Sequence, residues 1–179
     1  ETSEEKVFKA RCHNLKRFLR EITDEASGRF EVKEWPGEGG EPLICFPVME
    51  PPPIFWVPSP GGAGPTNAFL RLDGYRLEIK WYSEIMRTEF TIDGKTDPEE
   101  EDNYQTIVLS EDADLEYGYL DEEGDFEWED SLRESGDEFE LPQAARIFLD
   151  SDAVDEPQAV FLFFDPSLAT GPVREPLYQ

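Results

Sequence analysis

The side chains that could do chemistry in this chain are mostly carboxylates, because it contains 42 Asp and Glu against 16 Lys and Arg and one histidine, His13. Between Asp97 and Glu140 lie 20 acidic residues and a single basic residue, Arg133, so this stretch holds −19 of the net charge of −26. Glycoside hydrolysis uses two carboxylates at a fixed separation. Among so many acids some pair will always look suitable, so their abundance says little about catalysis.

One acidic turn has the alternating spacing of a calcium-binding loop. Asp121, Glu123 and Asp125 alternate around Gly124, and a hard cation needs several oxygen ligands that converge from a turn. Gly124 is at the wrong offset for an EF-hand, and Leu132 stands where that loop places its bidentate glutamate. The sequence therefore favours a solvated hairpin turn, with calcium binding as the alternative.

The residues that most enzymes rely on are scarce. One histidine leaves no base for a Ser/His or Cys/His arrangement unless a neighbouring subunit supplies it. The sequence has no CxxC pair, Gly-rich phosphate loop, nucleophile elbow or GxGxxG motif. We expect no enzymatic activity and no cofactor. A surface of charge −26 also repels nucleic acid and anionic lipid, which bind through Lys and Arg, so we expect no nucleic-acid partner.

The two cysteines, Cys12 and Cys45, leave two alternatives open, one disulfide or two buried thiols. Each lies on the apolar side of its predicted element, so we expect the two to be close in space. In an oxidising compartment a disulfide between them would close a loop of about thirty residues.

Residues 4 to 26 are predicted to form one long amphipathic helix that packs on a sheet. Its apolar stripe follows the spacing four, three, four, three, four, through Phe8, Cys12, Leu15, Leu19, Ile22 and Ala26. Thr2 and Glu5 can form a capping box before the helix, and Gly28 can close its end. Six of the basic residues lie on its polar faces: Lys6, Lys9, Arg11, Lys16, Arg17 and Arg20.

A loop-rich segment from 34 to 66 follows a short strand predicted at 29–33. This segment holds Pro51-Pro52-Pro53 and the Gly-rich run 61–65, which are loop material. The apolar run 43–48 inside it is predicted to be a strand, with Pro47 near a sheet edge because proline lacks the donor that a central position needs.

The region 67–164 has the period of two that is typical of strands. Tyr75, Leu77, Ile79 and Trp81 alternate with Arg76, Glu78 and Lys80, which predicts a strand with one wet face. Asp73-Gly74 and Asp93-Gly94 are hairpin signals. Two strands with apolar alternation are predicted on either side of the turn 121–124, one with Leu115, Tyr117 and Tyr119 before it and one with Phe126 and Trp128 after it. A further strand is predicted from Ala145, Ile147 and Leu149.

The last strand, 159–164, is apolar on both faces and is predicted to be central in its sheet. The tail 165–179 carries three prolines and no period, so we expect it to be loosely held. Together the elements predict an α+β protein of a single domain, 1–179, with a long N-terminal helix packed on antiparallel sheet.

Two segments of this region, LEYGYLDEEGDFEWEDS at 115–131 and ELPQAARIFL at 140–149, resemble the C-terminal half of the J-type minor pseudopilins of the bacterial type II secretion system. In that family a strand ending in an aromatic residue and an Asp-x-x-Gly turn leads to a Trp, an acidic loop, and a strand opened by Leu-Pro-x-Ala-Val. The matching residues here occur in that order: Tyr119, Asp121, Gly124, Trp128, Leu141, Pro142 and Ala144, with Ala145 where Val is commoner.

The helix, with Leu15, Phe18, Leu19 and Ile22, also resembles the segment that follows the family's membrane anchor. A Trp-Pro pair expected soon after the hairpin is absent, and Leu132-Arg133 stand near that place. This departure leaves a minor pilin of a type IV pilus open as an alternative to the secretion pseudopilin.

The resemblance implies a pseudopilin-like fold and a structural role without catalytic residues. It also implies that a leader and an apolar anchor of about twenty residues precede the chain, which agrees with a first residue, Glu1, that is not Met. The domain would then lie in the periplasm, held to the inner membrane by that anchor alone, and join I-type and K-type minor pseudopilins at the tip of a short pseudopilus.

A competing prediction is a secreted module that binds calcium or carbohydrate. Carbohydrate binding would need an exposed aromatic platform, for which the sequence offers Trp35, Trp56 and Trp128. Burial of these tryptophans would weaken that alternative.

Overall fold

A computed structural model of the chain describes residues 1–25, 29–35, 40–48, 65–83 and 104–164. Within these ranges one helix precedes a series of strands that pair only antiparallel. The elements are α1 (Ser3–Glu25), β1 (Glu31–Glu34), β2 (Pro42–Val48), β3 (Thr66–Asp73), β4 (Arg76–Ser83), β5 (Gln105–Ser110), β6 (Ala113–Leu120), β7 (Phe126–Glu129), β8 (Glu134–Ser135), β9 (Glu138–Phe139), β10 (Ala144–Leu149) and β11 (Gln158–Phe163). The predicted α+β class is confirmed.

The helix α1 begins with the predicted capping box. The Glu5 amide donates to Thr2 Oγ1 at 3.1 Å, and the Thr2 amide donates to Glu5 Oε2 at 2.5 Å, so both side chains satisfy helix-end donors. Along the apolar stripe, Leu15 and Leu19 are buried while Phe8 and Cys12 are half-buried against the core. The side chain of Ile22 and the predicted helix end at Ala26 and Gly28 lie outside the described residues.

The first sheet has the strand order β1-β2-β3-β4-β5. The predicted hairpin at Asp73-Gly74 joins β3 to β4, with Gly74 at a φ of +63°, a left-handed conformation that glycine adopts without strain. In the described pairing, β1 contacts β2 only from Pro42 to Cys45, so Pro47 has a strand neighbour on one side, in β3. Its missing amide donor therefore costs no ladder hydrogen bond on the open side. The predicted turn at Asp93-Gly94 and the tail 165–179 lie outside the described residues.

The second sheet has the order β11-β10-β6-β7, and a short β8–β9 hairpin follows β7 in the chain. The prediction that 159–164 is a central strand is wrong, because β11 lies at the edge of this sheet. Its two apolar faces have a different cause. Val160, Leu162 and Phe164 enter the main core, whereas Phe161 packs on Trp128 on the outer face, and the helix contacts β11.

One apolar cluster joins the helix to the facing sides of both sheets. It contains Leu15 and Leu19 from α1, Ile44 and Phe46 from β2, and Ile147 from β10. The helix contacts β2 of the first sheet and β11 of the second, so it closes one side of the space between them. The helix and the two sheets therefore hold one another in place by burial of shared apolar area.

The prediction of one wet face on β4 is also wrong. Glu78 and Lys80 are only 3% and 7% exposed, because a second aromatic cluster covers the outer face of the first sheet: Trp35, Leu43, Cys45, Phe69 and Tyr82, with Tyr104 packed against it. The Lys80 ammonium lies 4.4 Å from the ring centres of both Trp35 and Tyr104. A period-two pattern identified the strand, but it could not show that a second layer buries the charged positions.

Candidate interaction surface

The segment that resembles a pseudopilin forms one connected unit around Tyr119. The Tyr119 hydroxyl donates to the Glu140 carbonyl at 3.0 Å and accepts from the Arg133 amide at 2.9 Å, and the Arg133 guanidinium lies 4.2 Å from the ring centre. Burial raises the pKa of Tyr119 above its usual value, so the hydroxyl stays protonated and can donate. One buried side chain thus ties both ends of the segment 133–140 to β6.

Arg133 extends this unit to β7. Its guanidinium forms ion pairs with Glu129 at 2.9 Å and with Glu127 at 3.1 Å. The amide of Glu140 also donates to the Arg133 carbonyl at 2.8 Å. The only basic residue of the acidic stretch is therefore used to fold the stretch back on its own sheet.

Trp128 lies flat over Gly118 on the outer face of the second sheet. The two residues are paired across β6 and β7, and Trp128 stacks on Phe126 with ring centres 5.2 Å apart. A Cβ atom at position 118 would lie 2.8 Å from both aromatic rings, so only glycine leaves room for this arrangement. The Arg146 guanidinium covers the Trp128 ring at 4.2 Å and is paired with Glu116, and this contact holds the indole in position.

A groove of about 1140 Å³ runs between the two sheets next to this unit. We call it the intersheet groove. It is lined from the first sheet by residues 41–43 and Leu72, from β6 by residues 115–117, and beyond β6 by residues 128–134 and Phe139. The loop that Tyr119 anchors therefore forms one wall of this groove.

A smaller groove of about 350 Å³ lies beside the first turns of α1. It is lined by Ser3, Glu4, Val7, Phe8 and Arg11 of the helix and by the loop 151–153. Val7 is 50% exposed and Phe8 is half-buried. This helix end therefore presents apolar surface that the chain's own core leaves open.

The acidic turn between β6 and β7 is closed by its own aspartate. Asp121 Oδ1 accepts from the amides of Glu123 and Asp125 at 2.8 and 2.9 Å, and Gly124 adopts a φ of +89°. The carboxylate thereby organises the hairpin turn that the sequence favoured. Across the described residues no group of three or more His, Cys, Asp or Glu side chains is placed to hold a metal ion.

The structure does not bring Cys12 and Cys45 together. Both are free thiols, and they belong to different clusters: Cys12 packs against the main core, whereas Cys45 is fully buried in the aromatic cluster on the outer face of the first sheet. The expectation that they lie close together is thereby corrected. It failed because both faces of β2 are apolar, so the apolar side of that strand was ambiguous. Burial raises the pKa of the Cys12 thiol and favours its neutral form.

Of the three tryptophans predicted as a carbohydrate platform, the two that the structure describes, Trp35 and Trp128, lie on different sheets. Trp35 is 2% exposed at the centre of the aromatic cluster. Trp128 is half-buried on the other sheet. Trp56 lies outside the described residues.

Arg146 and Gly118 were not singled out from the sequence, and Arg133 was noted without a structural role, although all three position the candidate surface. Arg146 is directly opposite Glu116 in the β6–β10 register, and Gly118 is opposite Trp128. Opposite charges on paired strands attract, so the correct strand pairing would have revealed the first pair. Strand pairing is the information that periodicity alone lacks.

The fold and these contacts define an antiparallel α+β protein whose distinctive surfaces are grooves between elements. No family model matches the chain. No curated protein matches it either. Among solved structures it is similar to a chain of the GspK-GspI-GspJ complex from the type 2 secretion system of enterotoxigenic Escherichia coli, with 10% sequence identity, coverage of 86% of this chain and 97% of that chain, and a TM-score of 0.41. Within the described part of the chain, no helix is both long and apolar enough to cross a membrane.

Proposed function

We propose that the chain is the single periplasmic domain of a J-type minor pseudopilin, a structural subunit of a type II secretion pseudopilus. The observation that carries this proposal is the sequence pattern from Tyr119 to Ala144, whose members belong to one folded unit. Asp121 and Gly124 make the turn, Trp128 packs over β6, and Pro142 and Ala144 are buried at the start of β10. Each residue of the pattern has a structural role in this fold. Such a pattern is better explained by a shared fold than by chance similarity.

The helix gives a second line of support. α1 is one continuous helix of 23 residues, with Leu15 and Leu19 buried between the sheets and Val7 half exposed near its start. A helix that continued from a membrane anchor would need such a stripe in its C-terminal part, to dock its own sheets, and an open surface earlier. The proposed location is therefore the periplasm, with an anchor in the inner membrane preceding the chain.

The proposed action is binding to I-type and K-type minor pseudopilins without catalysis. The small groove beside α1 offers Val7 and Phe8 as apolar anchors, and aromatic residues such as Phe8 are enriched at protein interfaces. The net charge of −26 adds long-range attraction to basic patches, which speeds encounter and weakens with salt.

The test is sedimentation velocity of the purified domain mixed with the soluble domains of the I-type and K-type subunits from the same genome, at two salt concentrations. We expect a heteromeric complex that forms more slowly at the higher salt. Val7→Asp should weaken it, because the substitution puts a charge among the apolar anchors. Lys9→Asp would be an unsuitable control since Lys9 is paired with Glu1, so the matched control is His13→Asp, an exposed helix position that does not line the small groove.

Deletion of the gene should abolish secretion through the system, and restoration of the wild-type gene should recover it. The absence of any complex at tens of micromolar, together with intact secretion and pilus assembly after deletion, would contradict the proposal. Loss of a type IV pilus with normal secretion would favour the minor pilin instead.

A further inference from the structure

The intersheet groove is too large to be explained as a small packing defect. Its volume of about 1140 Å³ is slightly above the range of small-molecule sites, which is about 300–1,000 Å³. A stretch of polypeptide is an occupant of suitable size.

The groove has apolar surface that a polypeptide side chain could cover. Leu72 and Leu132 are half-buried at the margin of the main core, and Phe139 of β9 is also half-buried. All three residues line the groove. Apolar side chains of a bound segment would gain free energy by covering them.

The charge of the lining selects a cationic occupant. Five carboxylates and one guanidinium line the groove. Glu41, Glu116 and Glu129 are paired with Arg71, Arg146 and Arg133 in turn. Asp130 and Glu134 form no ion pair with any residue in the described ranges, and both are exposed. Two carboxylates therefore remain for a positively charged ligand.

Tyr117 adds a hydrogen-bond donor inside the groove. Its side chain is 8% exposed and lines the groove, yet its hydroxyl has no hydrogen-bond partner among the described residues. Burial raises the pKa of Tyr117 to about 12, with smaller contributions from Tyr119 and Glu41. The hydroxyl is therefore protonated at neutral pH, and it can donate a hydrogen bond to an acceptor that enters the groove.

We propose that the intersheet groove binds an extended segment of a partner polypeptide in which Lys or Arg alternates with apolar residues. The apolar side chains face the leucines, the cations face Asp130 and Glu134, and a backbone carbonyl accepts from the Tyr117 hydroxyl. The segment is extended because a backbone carbonyl within a helix already accepts a hydrogen bond of its own. This inference deepens the proposed function, and it rests on that function in so far as the partner is a neighbouring subunit.

The probe is a set of three fluorescent nine-residue peptides measured by fluorescence anisotropy with the full chain. One alternates Lys with Leu, one has Glu in place of Lys, and one has Ser in place of Leu. We expect binding of the Lys/Leu peptide alone, weakened by added salt. Equal binding of the Lys/Ser peptide would overturn the proposal, because it would show attraction by net charge without use of the groove.

The variants locate the binding site. Asp130→Asn with Glu134→Gln should weaken binding about 2- to 30-fold, as expected for loss of two exposed ion pairs. Asp155→Asn with Glu156→Gln removes the same charge from exposed positions that do not line the groove, and it should leave the affinity unchanged. Tyr117→Phe should weaken binding about 2- to 12-fold through one lost hydrogen bond, while Tyr75→Phe, at an exposed tyrosine, should not.

Circular dichroism and thermal melts of each variant show that it is folded before its affinity is compared. Absence of binding of the Lys/Leu peptide up to millimolar concentration would overturn the proposal. Equal weakening of binding by the groove double variant and by the control double variant would also overturn it. The proposal would also be overturned if sedimentation showed self-association of the chain that the groove variants abolish. A second copy of the chain would then be the occupant of the groove. A subunit complex that is unaffected by the groove variants would refute this inference while leaving the proposed function intact. Peptide binding at the groove without any subunit complex would support this inference and refute the proposed function.

Discussion

The outer faces of the two sheets differ in how far they are buried. The first sheet is covered on both sides, so that β3 has five consecutive buried residues and β4 buries even Glu78 and Lys80. The second sheet is buried on one side, and its outer face carries the half-exposed Trp128 and Phe148. The outer face of the first sheet is therefore part of the interior, whereas the outer face of the second sheet is partly open to solvent.

The chemistry of the two outer faces differs as well. On the first sheet, Lys80 lies against the rings of Trp35 and Tyr104, and Glu78 pairs with Arg71 at 3.0 Å. Both charged side chains therefore have partners inside the fold. Beyond the end of β7, carboxylates such as Asp130 have no ion-pair partner within the described ranges and lie at the margin of the intersheet groove. An acidic protein thus separates the charges that complete its fold from those available to a partner.

The largest expected effect compares one phenylalanine from each outer face. Phe69→Ala should lower the free energy of unfolding by about 3–5 kcal/mol, because a fully buried ring in the aromatic cluster leaves a cavity. Phe148→Ala, at a half-exposed position on the second sheet, should cost less than about 1.5 kcal/mol. Urea denaturation of both variants measures the difference, and equal losses would break the distinction between the two sheets.

The helix joins the sheets, so a substitution on its stripe should affect both. Leu19 is 2% exposed in the main cluster, and Leu19→Ala should cost about 2–5 kcal/mol through the cavity it leaves. Val7→Ala, at an exposed position of the same helix, is the matched control and should change stability by less than about 0.5 kcal/mol. A loss below half a kcal/mol for Leu19→Ala in a urea melt would count against the packed stripe.

A smaller effect is expected at Tyr119, whose hydroxyl makes two hydrogen bonds. Tyr119→Phe should cost about 1–3 kcal/mol, because the Arg133 amide and the Glu140 carbonyl lose their partner. Tyr75→Phe removes an exposed hydroxyl and should cost nothing measurable. Amide hydrogen exchange should become faster across 133–140 in Tyr119→Phe alone. Unchanged exchange there would show that the loop is held by other contacts.

The smallest expected effect concerns the cysteines, which lie in the two different clusters. Intact mass under non-reducing conditions should show two alkylatable thiols in the unfolded, unreduced protein. In the folded protein, the half-buried Cys12 should react before the fully buried Cys45. A mass lower by two hydrogen atoms, with no alkylation, would demonstrate the disulfide alternative and a different packing of β2.

Much of the fold follows from local patterns in the sequence. The spacing of Leu15 and Leu19 identified the helix, Thr2 and Glu5 its start, and Asp73-Gly74 a hairpin, because each pattern depends on residues close together in the chain. The position of β11 and the burial of Lys80 could not be predicted. Both depend on which distant elements cover a face, and an apolar or alternating strand is compatible with several such arrangements.

The candidate site also depends on packing between distant elements, which the sequence pattern did not predict. The sequence pattern identified Tyr119 and Trp128, but it did not predict that Tyr119 anchors one wall of the intersheet groove. Tyr117 was expected only as a buried strand residue. Its hydroxyl, which has no partner in the part of the chain that the structure describes, is seen to line a groove only once Glu41 and Leu72 of the first sheet are placed on the same groove. Grooves form between elements, so they depend on packing that no single segment encodes.

The most direct test of the account is hydrogen exchange of the domain alone and in a mixture with the I-type and K-type subunits proposed as its partners. We predict slower exchange in the first turns of α1 and in residues 128–134, which line the two grooves, and unchanged exchange in the β3–β4 hairpin. Protection confined to the β3–β4 hairpin, with both groove segments exchanging as in the free domain, would contradict the assignment of the binding surface.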